Sequence, residues 1–209
     1  MLRTTKENLL RILNIIELDY PKDKLDVIFV TDGSDDDTVS IIKKYNSFTL
    51  LHKKERNGKV SAINRAIRYV KTPIVIFCDA NTLLNKDSIK KISRHYADKK
   101  IGGVSGEKRI LMEQQQGASG SGEGFYWKYE SFLKKLDSKF YSIVGAAGEL
   151  FSIRTELYEE LEADTILDDF MISLKINMKG YRIHYEPEAY AQETPSASIE
   201  EESKRKVRI

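Results

Sequence analysis

The sequence predicts an α/β protein in which a mostly parallel sheet is flanked by helices. Short apolar runs that end in turn residues, such as "DVIFVTDGS" and "PIVIFCDA", are typical of buried strands. Segments with helical periodicity lie between these runs, so helix and strand alternate through the first half of the chain. The 209 residues are 41% hydrophobic, which is enough for one domain with a substantial core.

Residues 1–110 carry the alternating pattern. Thr4 or Thr5 can cap a first helix, in which Leu9, Leu13 and Ile16 belong to an apolar stripe. Further on, "ERNGKVSAINRAIRYV" predicts a loop followed by an amphipathic helix. The predicted helices lie at 4–17, 37–45, within 55–70 and at 87–97, and the predicted strands lie at 25–30, 48–52, 74–78 and near 102–110.

The pattern changes in residues 111–209. The segment "EQQQGASGSGEG" predicts a loop, which is either a disordered surface loop or one that a ligand orders. "FYWKYESFLKKL" predicts an amphipathic helix, and "VGAAGELFSIR" predicts a turn that leads into a strand. "DDFMISLKINMKGYRIHYEP" predicts a helix, terminated at Gly180, and a strand. We therefore expect one domain over residues 1–209 with two halves, 1–110 and 111–209.

Charge, cysteine and hydropathy exclude several classes. Charged residues make up 32% of the chain but nearly cancel, and the net charge of +2 argues against a nucleic-acid partner held by bulk charge. The one cysteine, Cys78, allows no intrachain disulfide and fits a reducing compartment. His52, His95 and His184 lack the spacing of zinc ligands. No run approaches the roughly 20 apolar residues that span a bilayer.

Acidic and amide side chains follow two of the predicted strands. Asp32 and Asp79 each come at a strand end, and the carboxyl ends of parallel strands meet at one edge of a sheet, where ligands bind. Asp79 and Asn81 are two residues apart, so both can face one cation from an extended segment. Oxygen ligands suit Mg²⁺ or Mn²⁺. The alternative is that Asp79 caps a turn and Asn81 caps the next helix.

Three further motifs place charge at helix ends. Lys59 in "NGKVSAIN" lies at the start of a predicted helix, where it either belongs to an anion site or is an ordinary solvated lysine. In "LDDF", one of Asp168 and Asp169 can complement the helix dipole, which leaves the other free to act as a base. The segment "RKVRI" carries three basic side chains, Arg205, Lys206 and Arg208, which can either bind a diphosphate or remain solvated.

Taken in order, "TDGSDDDT", "RNGKVSAIN", "CDAN", "GAAGELFSIR", "LDDFMISLKINMKGYRIHYEPEA" and "RKVRI" resemble the successive motifs of family 2 glycosyltransferases, which have the GT-A fold. The resemblance covers essentially the whole chain. It is greatest to the membrane-associated processive branch of cellulose, chitin, hyaluronan and poly-N-acetylglucosamine synthases. It implies inverting transfer from a nucleotide-sugar donor, expected to be UDP-linked, to a growing polysaccharide or glycolipid. It also implies action at the cytoplasmic face of the cell membrane, with membrane segments outside these 209 residues.

The resemblance also implies roles for individual residues. Asp32 and Lys59 match positions that contact the donor. Asp79 and Asn81 match the first and last positions of the "DxD" motif, which binds the donor and its Mg²⁺ or Mn²⁺. Asp169 matches the catalytic base. The remaining matches are Gly145, Gly148 and Glu149 in the turn that lines the acceptor site, and Arg205 and Arg208 over the donor diphosphate.

The sequence departs from the family pattern at several positions. Asn81 stands where a second carboxylate is usual, and Leu167 replaces the first residue of "TED". In "QxxRW", Gln and Trp are replaced by Arg205 and Ile209. The family's first strand, expected before the helix at 4–17, is missing, so we expect a piece of a longer protein. Two alternatives stay open: a non-catalytic nucleotide-sugar-binding domain, and a nucleotidyltransferase that releases pyrophosphate.

Overall fold

The computed structural model describes residues 5–110 and 118–193. Its elements follow the predicted order, with small shifts at their ends. The helices are α1 (Thr5–Ile16), α2 (Thr38–Ile42), α3 (Lys59–Ile67), α4 (Ser88–Ser93), α5 (Ala118–Phe140) and α6 (Asp168–Met178). The strands are β1 (Val27–Asp32), β2 (Phe48–Lys53), β3 (Ile74–Cys78), β4 (Thr82–Leu84), β5 (Ile101–Ile110), β6 (Leu150–Arg154) and β7 (Arg182–Glu193).

The strands form two sheets. β1 and β2 pair in parallel, and a five-stranded sheet has the order β3-β6-β5-β7-β4. In the larger sheet β5 and β7 are parallel, whereas β6 runs antiparallel to β3 and β5, and β4 runs antiparallel to β7. The α/β class is confirmed, but the expectation of a mostly parallel sheet is corrected to a mixed one. An apolar run looks the same whichever way its neighbour runs, so the pattern could not give the direction of β6.

Helices cover both faces of the larger sheet. Successive side chains of β6 point to opposite faces, so Phe151 and Ile153 face one side and Leu150 faces the other. α6 packs Ile172 on the first side, and α4 packs Ile92 on the second. A strand buried on both faces has no polar side, which explains the continuous apolar runs in the sequence.

A cleft of about 830 Å³ separates the two sheets. It is lined by β1, β3, α1 and α3. Among the described residues, β1 pairs with β2 alone, and β3 pairs with β6 alone. Within the described residues, the cleft therefore lies between the edges of β1 and β3 that do not pair with another strand.

Some element boundaries differ from those predicted. α5 begins at Ala118, so the end of "EQQQGASGSGEG" is helical, and residues 111–117 lie outside the described residues. Extending a helix costs less than starting one, so the aromatic helix continues into this Gly- and Ser-rich segment. β4 was not predicted, because three residues give little pattern; it forms by pairing with the end of β7. None of the described helices is long and apolar enough to cross a membrane.

Candidate active site

Asp32, at the end of β1, holds the loop that leads into α3. Its Oδ2 accepts hydrogen bonds from the backbone N–H groups of Asn57 (2.8 Å) and Gly58 (2.7 Å). Gly58 has a φ of 93°, which glycine adopts without a steric penalty. The other carboxylate oxygen, Oδ1, is buried and has no hydrogen-bond partner within the described part of the chain. Because an unpaired buried acceptor is costly, this oxygen is a candidate to bind a ligand donor.

Lys59, the first residue of α3, connects two of the predicted acids. Its Nζ lies 3.4 Å from Oδ1 of Asp79 and 3.2 Å from Oδ2 of Asp168. Burial by itself lowers the pKa of Lys59, but the two carboxylates outweigh burial, and the pKa is raised. Lys59 is therefore a charged and paired lysine, and it partly neutralises an otherwise acidic edge.

Asp79 directly follows β3 and presents its carboxylate to this edge. The turn is closed by the Asp79 carbonyl, which accepts hydrogen bonds from the Thr82 N–H (3.3 Å) and the Thr82 hydroxyl (2.8 Å). Burial raises the pKa of the Asp79 carboxyl; Lys59 opposes the shift, and Glu149 and Asp168 add to it. The Asp79 side chain is thus available to the site rather than used as a turn cap.

Asn81 precedes β4, and the next helix, α4, begins only at Ser88. The alternative in which Asn81 caps that helix is therefore wrong. Its Nδ2 donates a hydrogen bond to Oε1 of Glu193 (2.7 Å). An amide that donates on one side presents its oxygen on the other, so Oδ1 of Asn81 is directed away from Glu193.

Asp79 and Asn81 fit a hard divalent cation. They supply a carboxylate and an amide oxygen, the ligand types that Mg²⁺ and Mn²⁺ prefer. Within residues 5–110 and 118–193, no three carboxylates of this edge bring ligand atoms within 4.8 Å of one another. Such a site suits a cation that keeps waters and completes its coordination with phosphate oxygens.

Asp168 and Asp169 begin α6 in different surroundings. Asp168 is buried against Lys59. Asp169 accepts a hydrogen bond at Oδ1 from the N–H of Phe170 (2.9 Å). Its Oδ2 lies so close to Gly148 that a Cβ at position 148 would stand 2.9 Å from it. Burial raises the pKa of Asp169, opposed by the Phe170 N–H and aided by Asp168, so this carboxylate takes up a proton more readily than an ordinary aspartate.

Gly145 and Ala146, at the start of the predicted acceptor turn at 145–149, line a second cavity of about 450 Å³, whereas Gly148 lines the cleft between the sheets. The turn is pinned to the sheet, because the N–H of Ala147 donates to Oγ of Ser105 (3.0 Å). Asp169 lines this cavity and also the cleft between the sheets. The other lining residues include Val144, Gly145, Ala146, Leu167 and Phe170.

Two charged residues that sequence reasoning missed complete this edge. Nζ of Lys108 on β5 lies 2.5 Å from Oε1 of Glu149 and 2.9 Å from Oε2 of Glu193. Burial lowers the pKa of Lys108, but the two glutamates outweigh burial and raise it. The available signal was the placement of charged residues inside apolar strands, in "GEKRI" and "AQETP".

A separate cluster joins residues that are distant in sequence. The rings of His95 and His184 lie 4.0 Å apart between centroids, next to Glu186. Oε2 of Glu186 binds Nε2 of His95 (2.7 Å) and Arg94 (2.6 Å), and Oε1 accepts from the N–H of Glu188 (3.0 Å). Both carboxylate oxygens are engaged, so we interpret the cluster as a structural network.

The structure places Lys59 next to Asp79, and Gly148 of the 145–149 turn next to Asp169. Arg205 and Arg208 lie outside the described residues, so their roles stay predictions.

A mixed α/β fold with this acidic edge belongs to the GT-A class of glycosyltransferases, the class of the solved structures that it resembles. The family model described as "Glycosyl transferase family 2" matches residues 3–162. The chain is a member of glycosyl transferase family 2.

Curated relatives include poly-beta-1,6-N-acetyl-D-glucosamine synthases. The chain is 28% identical to that of Staphylococcus aureus over 185 residues, which cover 83% of this chain and 43% of the relative. It is 27% identical to that of Staphylococcus epidermidis over 187 residues, or 84% of this chain and 44% of the relative. The chain thus spans less than half the length of these relatives.

Solved structures resemble the whole fold. The mannosyltransferase PcManGT from Pyrobaculum calidifontis, in complex with GDP-Man and Mn²⁺, has a TM-score of 0.82 and 27% identity, covering 100% of this chain and 58% of that one. S. aureus TarS 1–349, in complex with UDP-GlcNAc, has a TM-score of 0.65 and 20% identity, covering 93% of this chain and 56% of that one. The TarS likeness shows the fold alone.

Proposed function

We propose that this chain is the catalytic core of an inverting glycosyltransferase that moves a sugar from a nucleotide-sugar donor, expected to be UDP-linked, to a growing polysaccharide or a glycolipid. The observation that carries the proposal is the position of Asp169 at the junction of two cavities. The cleft between the sheets is lined by Lys59 and Asp79, and the second cavity is lined by Gly145 and Ala146 of the 145–149 turn. A base at such a junction can reach an acceptor in one cavity and face a donor in the other.

In the proposed reaction, the acceptor hydroxyl oxygen forms a bond to the anomeric carbon and gives its proton to Asp169. The bond between the anomeric carbon and the donor phosphate oxygen breaks, and its electron pair leaves with the nucleoside diphosphate. Lys59 supplies positive charge beside the diphosphate, where negative charge grows in the transition state. The raised pKa of Asp169 supports its role as the proton acceptor.

We assign the cation to Asp79 and Asn81. When bound there, Mg²⁺ or Mn²⁺ would neutralise charge on the diphosphate. The Mn²⁺ present with GDP-Man in the 27% identical mannosyltransferase structure supports a divalent cation. We assign Asp32 to the nucleoside through its unpaired Oδ1, and Arg205 and Arg208 keep their predicted place at the diphosphate.

The proposed acceptor is a glycan or a lipid-linked glycan, bound against Gly145, Gly148 and Glu149. The names of the curated relatives, which are polysaccharide synthases, support a polysaccharide product. We further propose that the full-length protein acts at the cytoplasmic face of the cell membrane, as its resemblance to membrane-associated synthases implies.

The test is an Asp169→Asn substitution in the full-length protein. Each of a panel of UDP-sugars is supplied with a glycan acceptor, and UDP release is measured. We expect transfer to fall roughly 10²- to 10⁴-fold, the usual contribution of a general base, while calorimetric donor binding is retained. The exposed Asp164, changed to Asn in the loop before α6, is the matched control.

The outcome also separates the alternatives. Near-normal turnover of Asp169→Asn contradicts the base assignment. Release of pyrophosphate instead of UDP identifies a nucleotidyltransferase. Donor binding by the unchanged protein with no turnover on any donor identifies a non-catalytic binding domain.

A further inference from the structure

We propose that Glu193 is a positioning residue that decides which end of the Asn81 amide faces the bound cation. The inference rests on the proposed function, because it assumes a cation at Asp79 and Asn81. It concerns the orientation of one ligand and not the presence of the site.

The contact between the two side chains is fixed by the sheet. Thr82, the first residue of β4, is in register with Glu193, the last residue of β7, which places position 81 beside Glu193. Nδ2 of Asn81 donates to Oε1 of Glu193 at 2.7 Å, and Glu193 is 8% exposed. A carboxylate only accepts hydrogen bonds, so it selects the NH₂ end of the amide and leaves the oxygen end for a cation.

Lys108 keeps Glu193 in this role. Its Nζ lies 2.9 Å from Oε2 of Glu193 and 2.5 Å from Oε1 of Glu149. The ammonium group can only donate, and its charge compensates the largely buried carboxylates on either side. Oε2 of Glu193 therefore faces Lys108, and Oε1 faces Asn81.

This arrangement gives a reason for the amide at position 81. An aspartate there would place two carboxylates at the 2.7 Å separation now occupied by a hydrogen bond. Like charges at that distance repel strongly in a partly buried site. Asn81 keeps an oxygen for the cation while accepting Glu193 as a neighbour, so the two residues form a matched pair.

A Glu193→Gln substitution is expected to reverse the direction of the hydrogen bond between positions 81 and 193. Because the Lys108 ammonium group can only donate, it faces the oxygen of the introduced glutamine, and the NH₂ of that glutamine then faces position 81. Asn81 must turn its oxygen toward that NH₂ and its own NH₂ toward the cation, which an NH₂ group does not bind. In the double variant Asn81→Asp with Glu193→Gln, the introduced carboxylate can accept from the glutamine NH₂ with one oxygen and hold the cation with the other.

The experiment measures Mn²⁺ binding by the full-length protein in the presence of UDP, using the electron paramagnetic resonance signal of free Mn²⁺. We expect Glu193→Gln and Asn81→Asp each to weaken binding by roughly tenfold, the usual effect of losing a partner of a metal ligand. We expect the double variant to return to within about twofold of the unchanged protein. Glu188→Gln on the same strand, an exposed residue paired with Lys91, is the matched control.

A merely structural role for Glu193 would make the double variant at least as weak as the weaker single variant, and that result overturns the inference. Unchanged Mn²⁺ affinity in Glu193→Gln overturns the inference. Tighter binding by Asn81→Asp alone also overturns it, because the introduced carboxylate would then hold the cation despite its neighbour Glu193. If the unchanged protein does not bind Mn²⁺, or if Asp79→Ala does not weaken that binding, the proposed cation site fails and the inference fails with it.

Discussion

A Gly148→Ala substitution would add one methyl group next to Asp169 and so test the geometry of the candidate active site. A Cβ at this position would stand 2.9 Å from Oδ2 of Asp169, 3.4 Å from its Cγ and 3.7 Å from Nζ of Lys59. The nearest atom is the end of a flexible side chain and not backbone. In a Gly148→Ala variant, the Asp169 carboxylate therefore has to move while the fold stays in place.

The size of the effect follows from these distances. Non-bonded heavy atoms settle near about 3.5 Å, so Asp169 must shift by roughly 0.5 Å. A misplacement of about 1 Å can cost a factor of 10² in rate, and we expect kcat to fall by about 10- to 100-fold. Gly148 does not have a positive φ, so alanine adds no backbone strain and restricts the unfolded chain. The free energy of unfolding should stay constant or rise by up to about 1 kcal/mol.

The assay pairs UDP release under saturating donor and acceptor with thermal unfolding. Gly145→Ala is the matched comparison in the same turn, because its nearest neighbour, a Phe170 ring carbon, lies at 3.4 Å and needs little adjustment. A Gly148→Ala enzyme with kcat within twofold of the unchanged enzyme would refute the proposed contact between Gly148 and the base.

Further predictions concern protonation, the cation and the cleft. As the proposed base, Asp169 would work only when ionised, and burial raises its pKa. We therefore expect kcat to fall with decreasing pH at values above the ordinary aspartate pKa of about 3.9; a profile unchanged down to that pH would contradict this. Asp79→Ala should weaken Mn²⁺-dependent UDP binding by more than about tenfold, and an unchanged calorimetric titration would count against the site. Burial, aided by the charge of His95, lowers the pKa of His184 to about 4. Between that pH and about 6.5 the unfolded chain therefore binds more protons than the folded one, so the free energy of unfolding decreases as the pH drops through this range. His184→Gln should flatten this slope, which is below about 1.4 kcal/mol per pH unit because the ring is partly exposed. Amides of β1 that face the cleft should exchange with deuterium faster than those bonded to β2, and equal protection would show that the cleft is closed in solution.

The sequence by itself determined most local structure and supplied several candidate residues for the site. Apolar periodicity placed the helices and all strands except β4, because side-chain period depends only on the local backbone. Strand-end acids pointed to Asp32 and Asp79, and the ordered motifs pointed to Lys59 and Asp169. Family membership, inferred from those motifs, is confirmed.

The tertiary structure decided how these pieces meet. The insertion of β6 between β3 and β5, the pairing of Lys59 with Asp168, and the contact of Asn81 with Glu193 all join residues far apart in the chain. A local pattern carries no information about which distant strand lies alongside, or in which direction it runs. In the sequence, the amide at position 81 is a neutral oxygen ligand where a second carboxylate is usual, and only the register of β4 with β7 shows the carboxylate that faces it.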